Sequence, residues 1–215
     1  MSSRNRLLAA IFSMLLLGGC ATSRSTLDIS TPTAGSVAKN NGKDVYINVV
    51  KDLRAFEVKP SSPDIPSLDD SEDNSDKIKA RAVGRKRNGF GKALGDVVLP
   101  EGKSVESLTI ASLRTSFSER GYRVVSDKSQ VTDGTYIVDA DILKFWSWLN
   151  PGFWALTLSA EISTAITIKS PLGTERQTVS VKAADSFQTG VEGNWIEVIN
   201  KALTLYVDDL NRKLK

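Results

Sequence analysis

The sequence predicts an α+β fold in which two helices pack on one face of a mainly antiparallel sheet of about four to five strands, in the order β-α-β-β-β-β-α. The clearest signal is the segment 155–169, where apolar and polar residues alternate, as in a strand with one face on a core and the other in water. Two further segments, 104–121 and 194–213, carry apolar residues at helical spacing.

The other predicted strands rest on shorter alternating patterns, and they lie at 44–51, 122–126, 136–146 and 177–187. Turn-forming residues separate several of them, such as Asp133-Gly134 and Pro171-Leu172-Gly173. The segment 177–187 follows the second turn closely. It should therefore run back beside 155–169 as its antiparallel partner.

Local chemistry also marks the ends of the two helices. Ser104 precedes the first apolar run and Ser107 falls at the third helical position, so Ser104 is the predicted N-cap. Gly121 should end this helix, because glycine adopts the left-handed conformation most easily. The second helix carries an apolar stripe made by Trp195, Val198, Ile199, Ala202, Leu203, Tyr206 and Leu210.

The N-terminus has the pattern of a secretory signal. Arg4 and Arg6 precede an apolar run over 7–17, and Gly18 and Gly19 stand before Cys20. The run is shorter than the roughly 20 residues that a membrane-spanning helix needs. Residues 1–19 are therefore predicted to be a cleaved signal peptide.

The sequence Leu17-Gly18-Gly19-Cys20 resembles the lipobox of bacterial lipoproteins. The resemblance implies that Cys20 receives a diacylglycerol, that the chain is cut before it, and that the new amine is acylated. Ala21 follows, where Asp would favour retention in the inner membrane, so the resemblance implies the outer membrane, facing the periplasm. The alternative is an ordinary signal peptide with a chance cysteine.

Composition shifts divide the mature chain. Residues 20–43 are predicted to form the lipidated cysteine and a flexible tether, and residues 44–215 a single periplasmic α+β domain. A charged insertion lies at about 60–95. Its first part, 60–76, has six acids and no base, and the next, 77–92, has seven bases and no acid. This pair indicates an exposed insertion, with a solvated loop of compensating charges as the alternative.

The chain contains no His and a single Cys, which removes the usual nucleophilic triads and the ordinary zinc ligands. We therefore predict no enzyme activity, no metal and no cofactor. Removing Arg4 and Arg6 leaves 26 bases against 25 acids, so net charge gives no support for a nucleic-acid partner. Asp139 and Asp141 share a strand face, but solvated residues explain them as well as acid–base catalysis or a cation site does.

Five aromatic residues lie around the turn Asn150-Pro151-Gly152, and at a hairpin tip some should be exposed. They are Phe145, Trp146, Trp148, Phe153 and Trp154. Exposed aromatic surface is typical of a protein contact or of the membrane interface. The alternative is that the rings fold back into the core. A second candidate surface is basic and contains Arg85, Arg87 and Lys92.

Several short motifs together resemble the YajG-type family of small bacterial outer-membrane lipoproteins. They are Cys20-Ala21-Thr22, Asp52-x-Arg54, Val83-Gly84, Arg87-Asn88-Gly89-Phe90-Gly91 and Arg120-Gly121-Tyr122. The acidic stretch 60–76 and the Trp-rich turn have no counterpart in this resemblance. Because the family has no agreed catalytic site, the likeness implies location and fold rather than chemistry.

Together these features predict a non-enzymatic module that is anchored to the outer membrane through its N-terminal acyl chains. We expect it to bind an envelope protein and to assist an envelope assembly. The alternative is a lipoprotein that binds lipid, glycan or peptidoglycan, since sugar rings also stack on aromatic faces. The oligomeric state is left open by the sequence.

Overall fold

The computed structural model describes residues 24–35, 38–70, 73–88, 91–152 and 154–214. Within these ranges the chain forms eight strands and three α-helices. In chain order they are β1 (Ser25–Thr26), β2 (Asp44–Asp52), α1 (Asp76–Arg81), β3 (Ala82–Arg87), β4 (Ala93–Val98), α2 (Val105–Glu119), β5 (Arg123–Val125), β6 (Tyr136–Pro151), β7 (Leu156–Ser170), β8 (Gly173–Phe187) and α3 (Glu192–Lys213).

The predicted antiparallel sheet of four to five strands is wrong, because the described strands form one mixed sheet of eight. The pairs β1–β4, β2–β5, β2–β6 and β3–β6 are parallel, whereas β3–β4, β6–β7 and β7–β8 are antiparallel. The additional strands come from the predicted tether and the predicted charged insertion. Most of the parallel pairs join segments far apart in sequence, which local patterns do not reveal.

Strand β6 organises the sheet. One of its edges pairs with β7 from Ile137 to Pro151. Its other edge is shared by two parallel strands: β2 pairs with Tyr136–Ile142, and β3 pairs with Ser147 and Trp148. An irregularity in the β6–β7 register falls between Ile142 and Lys144, just where β2 gives way to β3. Along this edge of β6 the sheet therefore divides into two parts, one that contains β2 and one that contains β3, which we call the two wings.

The ends predicted for the helix over 104–121, which is α2 in the structure, are confirmed. The Ser107 N–H donates to Ser104 Oγ at 3.1 Å, the Ser104 N–H donates to Ser107 Oγ at 2.9 Å, and together they form a capping box. Gly121 follows the helix with a φ of +81°. Helices α2 and α3 both contribute to the main core, and their buried residues pack with Val138, Ile162 and Ile166 of the sheet.

Residues 24–35 lie on the domain, although the sequence assigns them to a flexible tether. Leu27 and Ile29 are buried in the main core, and β1 pairs in parallel with β4. Thr115 Oγ1 also donates to the Pro32 carbonyl at 2.9 Å. Two isolated apolar residues within a polar stretch have no periodicity that sequence could detect, yet burying both fixes this segment.

Residues 55–70, which we call the strap, cross the opposite face of the sheet from α2 and α3. Leu68 of the strap packs with Ala82, Val98, Trp146 and Trp148 in a second, smaller core. The acidic part of the predicted exposed insertion is thus a packed cover over a second face. The remainder of that insertion supplies α1, β3 and β4.

Candidate functional site

Arg54, from the Asp52-x-Arg54 motif, fills the gap between the two wings. Its guanidinium donates to the backbone carbonyls of Ala82 at 2.6 Å, Phe145 at 2.9 Å and Lys79 at 2.6 Å. It also pairs with Asp52 at 2.8 Å, and its side chain is fully buried. Strand β2 ends at Asp52, so its backbone N–H groups do not reach these carbonyls. The Arg54 guanidinium supplies the hydrogen-bond donors in their place. The motif therefore holds the two wings together.

Gly84 permits the contact between β3 and β6. A Cβ built at this position would lie 2.5 Å from Ser147 Oγ and 2.7 Å from the Ser147 carbonyl oxygen. Ser147 Oγ in turn donates to the Val83 carbonyl at 2.6 Å. Gly121 and Tyr122 also hold the fold together: a Cβ at Gly121 would collide with the Lys39 carbonyl, and Tyr122 packs edge-on against Phe117.

The predicted aromatic surface is divided by the structure. Phe145 enters the main core, while Trp146 and Trp148, only 1% and 3% exposed, lie in the second core. Trp146 Nε1 donates to the Pro63 carbonyl of the strap at 3.2 Å. Trp154 is 84% exposed at the β6–β7 turn. Trp154 is thus exposed, as expected for some of the five rings, whereas Trp146 and Trp148 follow the alternative of rings folded into a core, because the strap covers their face.

The basic residues of the second predicted surface lie on the β3–β4 hairpin. The backbone N–H of Asn88 donates to the Lys92 carbonyl, and Asn88 Oδ1 accepts from the Lys92 N–H, both at 2.9 Å. Gly91 adopts a φ of +79°, which glycine tolerates without strain. Asn88 and Gly91 thus shape the turn that carries Lys92. Cys20, Gly89 and Phe153 lie outside the described residues.

Arg85, Arg87 and Lys92 come together in one pocket of about 450 Å³, which we call the basic pocket. The strap closes its other side with Lys59, Pro60, Asp69 and Asp70. Four basic and two acidic side chains line the pocket, so its described lining carries two net positive charges. Such a pocket suits an anionic group, which the Arg guanidinium can bind through paired N–H donors.

Arg87 is the partly buried cation of the basic pocket that has no described carboxylate partner, whereas Lys92 is exposed to solvent. Its guanidinium donates to the Pro60 carbonyl at 3.0 Å and to Ser67 Oγ at 3.2 Å, both of which are neutral acceptors. Within the described ranges no ion pair joins Arg87 to a carboxylate, whereas Arg85 pairs with Asp69 and Asp96. Burial, and to a smaller degree the charge of Arg85, lower the pKa of Arg87 from its usual range. A bound anion would relieve this uncompensated charge.

Arg85 is held in place by a buried charge network. Asp96 lies directly opposite Arg85 in the β3–β4 ladder and is fully buried. Arg85 Nε lies 3.6 Å from Asp96 Oδ1, and Arg24 Nη2 lies 3.1 Å from Asp96 Oδ2. The Asp69 N–H also donates to Asp96 Oδ2, at 3.2 Å. One carboxylate thus connects the start of the described chain with the wall of the basic pocket.

Lys59 was missed by the sequence analysis, although it lies at the mouth of the pocket. Its φ of +50° is the one positive value found for a non-glycine residue in the described part of the chain. This conformation is unfavourable for lysine, and more so directly before a proline such as Pro60. Lys59 Nζ pairs with Asp70 at 2.9 Å. The Lys-Pro step favours extended backbone, so it gives no signal for this turn.

Asp139, one of the two carboxylates noted on a single strand face, is held by neighbouring donors. Asp139 accepts from Asn48 Nδ2 at 2.7 Å and from Lys169 Nζ at 3.0 Å. Partial burial raises the pKa of Asp139, but these two hydrogen bonds outweigh that effect and keep the pKa below its ordinary value. A general acid needs the opposite shift.

In the described ranges, no group of three or more acidic, His or Cys side chains is placed to hold a metal ion. None of the helices in those ranges has the length and hydrophobicity required to cross a membrane.

The chain matches no protein-family model and no curated protein sequence. Solved structures with a similar chain path include an uncharacterised protein, at 9% identity and a TM-score of 0.47 over 91% of this chain and 99% of that one. A Helicobacter pylori protein described as a homologue of a neuraminyllactose-binding hemagglutinin matches at 12% identity and a TM-score of 0.37, over 88% and 94%. A minor lipoprotein from Acinetobacter baumannii matches at 16% identity and a TM-score of 0.30, over 48% and 82%. Likenesses at this level assign no function to the chain.

Proposed function

We propose that this chain is an outer-membrane lipoprotein whose periplasmic domain works by binding an anionic partner in the basic pocket. The anchor rests on the lipobox ending at Cys20, and the YajG-type resemblance rests on the motifs around Arg54, Gly84 and Gly121. The pocket rests on Arg87, a partly buried guanidinium with two neutral acceptors and no described carboxylate partner. This last observation carries the binding role.

A non-enzymatic role agrees with the polar groups that are present. The sequence offers no His, and its one Cys is the predicted lipid attachment site. The carboxylates nearest the basic pocket are already paired, Asp69 with Arg85 and Asp70 with Lys59. Asp139 remains ionised through its hydrogen bonds. The pocket therefore has donors that can hold an anion and lacks an unpaired base that could attack it.

The anchor is tested by replacing Cys20 with Ala. We expect the wild-type protein to fractionate with membranes and to carry the mass of the acyl chains, and the variant to lose both properties. A variant that still fractionates with membranes at the same mass shift would contradict the lipobox assignment.

The pocket is tested by titrating the mature chain, with Cys20→Ser in place of the lipid, with inorganic phosphate. We expect the Arg87 Nε–H resonance and the backbone N–H resonances of Gly91 and Lys92 in the pocket lining to shift and saturate, and the Arg87→Gln variant to lose the backbone response. Arg123→Gln is the matched control, because Arg123 is an exposed guanidinium that already pairs with Asp44. Equal responses from the two variants, or no shift at Arg87, would refute the pocket assignment.

A second pocket favours the alternative of glycan binding. It has a volume of about 370 Å³ and lies beside the β7–β8 turn, with Tyr122 and Tyr136 in its lining. Lys43 Nζ lies 5.6 Å from the Tyr122 ring centroid and 5.3 Å from that of Tyr136. The partly exposed Tyr136 ring beside a polar rim suits a sugar ring, while Tyr122 is buried behind it. Retention of the mature chain on purified sacculi, lost in Tyr136→Ala, would support this candidate, and no retention would remove it.

A further inference from the structure

The packing of residues 24–35 shortens the link between the anchor and the domain. A lipid on Cys20 would be only four residues from Arg24, and four residues span at most about 14 Å. Arg24 already binds Asp96, and Ser25 already belongs to the sheet. The predicted tether of residues 20–43 would have allowed several times that distance. The domain is therefore held close to the bilayer surface, with one particular end toward it.

That end of the domain contains the basic pocket. Asp96 contacts both Arg24 and Arg85, so a single carboxylate separates the start of the described chain from the pocket wall. Lys86, next to Arg85, donates to Ser25 Oγ at 2.6 Å. Arg85 and Lys86 thus lie beside the place where the chain leaves for the membrane, together with Asp69 and Asp73 of the acidic stretch.

The same end also exposes apolar side chains. Val191 lies beside Ser25 in a surface pocket and is 57% exposed. Trp154 follows the end of β6, near the Ser147–Trp148 segment that pairs with β3. Tryptophan is enriched where a membrane meets water, because it has an apolar body and a polar N–H. The opposite end, marked by Ile137 and the β7–β8 turn, is about 35 Å away along β6.

We infer that this end of the domain rests on the membrane that holds the lipid anchor, and that the basic pocket binds the phosphate of an anionic lipid headgroup there. The inference rests on the proposed function, because it needs both the lipid on Cys20 and an anion in the pocket. Arg87 and Lys92 contact the headgroup phosphate, while Trp154 and Val191 enter the interface. The lipid anchor then holds the chain on the membrane, and the pocket fixes the orientation of the domain.

The orientation is tested on the mature lipidated protein in nanodiscs. Because the natural cysteine is lipidated in this proposal, Ala93→Cys and Asn150→Cys, beside the proposed contacts, and Leu172→Cys each introduce one free thiol for a fluorophore. Leu172 is the control, since it is 92% exposed on the distant β7–β8 turn. With a nitroxide quencher on the lipid headgroups, we expect strong quenching at positions 93 and 150 and little at 172. Equal quenching at all three positions, or the strongest at 172, would overturn the orientation.

The headgroup chemistry is tested with vesicles and the unlipidated mature chain, in which Cys20→Ser leaves every described residue in place. We expect binding to vesicles that contain phosphatidylglycerol and none to phosphatidylcholine alone. Arg87→Gln and Lys92→Gln should each weaken binding about five-fold. Arg176→Gln, on the distant part of β8, is the matched control and should leave binding unchanged.

The outcomes separate this inference from the proposed function. A response of Arg87 to inorganic phosphate without any binding to anionic vesicles would overturn the lipid assignment and leave the anion site standing. Full displacement of vesicles by an acidic peptide that itself binds more tightly would assign the pocket to a protein partner and also overturn it. Loss of both the phosphate response and vesicle binding would remove the site altogether.

Discussion

Replacing Arg54 with Ala should destabilise the domain more than any surface charge replacement. The buried guanidinium satisfies the carbonyls of Ala82, Phe145 and Lys79 and neutralises the partly buried Asp52. Removing it leaves these acceptors without their donor and strands a partly buried carboxylate. Breaking a buried charged pair in this way costs about 3–5 kcal/mol, a large share of the roughly 5–15 kcal/mol by which domains are stable.

The assay is urea unfolding of the mature chain, followed by tryptophan fluorescence, which reports on the buried Trp146 and Trp148. The midpoint should fall while the slope stays the same, because the surface exposed on unfolding is unchanged. Arg54→Lys should recover part of the loss, since an ammonium can reach some of the same carbonyls. Arg123→Ala, which removes an exposed guanidinium, should leave the midpoint nearly unchanged. A loss below about 1 kcal/mol for Arg54→Ala, the value of an exposed pair, would refute the role assigned to Arg54.

Three further changes test the packing and the charges of the fold. Gly84→Ala should cost about 1–3 kcal/mol by forcing β3 from β6, whereas Gly193→Ala, with open space around it, should cost nothing measurable; equal midpoints in urea would contradict the close approach. Trp146→Ala should cost about 3–5 kcal/mol and Trp154→Ala very little, and a reversed order in thermal unfolding would contradict the second core. Asp139 has a lowered pKa in the fold, so it stabilises the protein above the ordinary carboxyl pKa near 3.8 and loses this effect as the pH falls through its folded pKa. The free energy of unfolding of Asp139→Asn should therefore depend less on pH on the acid side than that of the wild type. An unchanged pH dependence would contradict the lowered pKa of Asp139.

The elements with a strong local pattern were predictable from the sequence. The alternation in β7 identified a strand because one face meets the core, and the stripe in α3 placed Trp195 and Tyr206 on its buried side. Ser104 and Gly121 marked the ends of α2 because caps depend on neighbouring residues only. In each case the determining interactions lie within a few residues.

The mixed sheet was not predictable in this way, because its determinants are distant in sequence. Strands β3 and β4 contain Arg85 and Asp96. Considered alone, each of these charged residues predicts a solvent-exposed loop and not a buried strand. Their side chains become compatible with burial only when the hairpin places them opposite each other and Arg24 joins them. The parallel pairing of β2 and β3 along one edge of β6 likewise depends on Arg54, whose acceptors come from three separate segments.

The candidate site was partly predictable. Arg85, Arg87 and Lys92 stood out as a basic run, and the structure brings them into one pocket. Lys59 was missed because the strap that carries it has no periodicity. The burial of Trp146 and Trp148 was not predictable either. A dense cluster of aromatic residues near a turn indicates exposed surface unless the segment that covers it, here the strap, is known.

The most direct test of the binding role is photo-crosslinking in living cells, with the probe at Lys92 and a control probe at Leu172, in the lipidated protein. If the basic pocket is the binding site, the probe at 92 will give a dominant adduct that Arg87→Gln abolishes, and the probe at 172 will not give it. Mass spectrometry of that adduct then identifies it as a phosphate-bearing lipid or a protein. Equal yields from both positions, or an adduct at 92 that Arg87→Gln leaves unchanged, would contradict the assignment of the pocket.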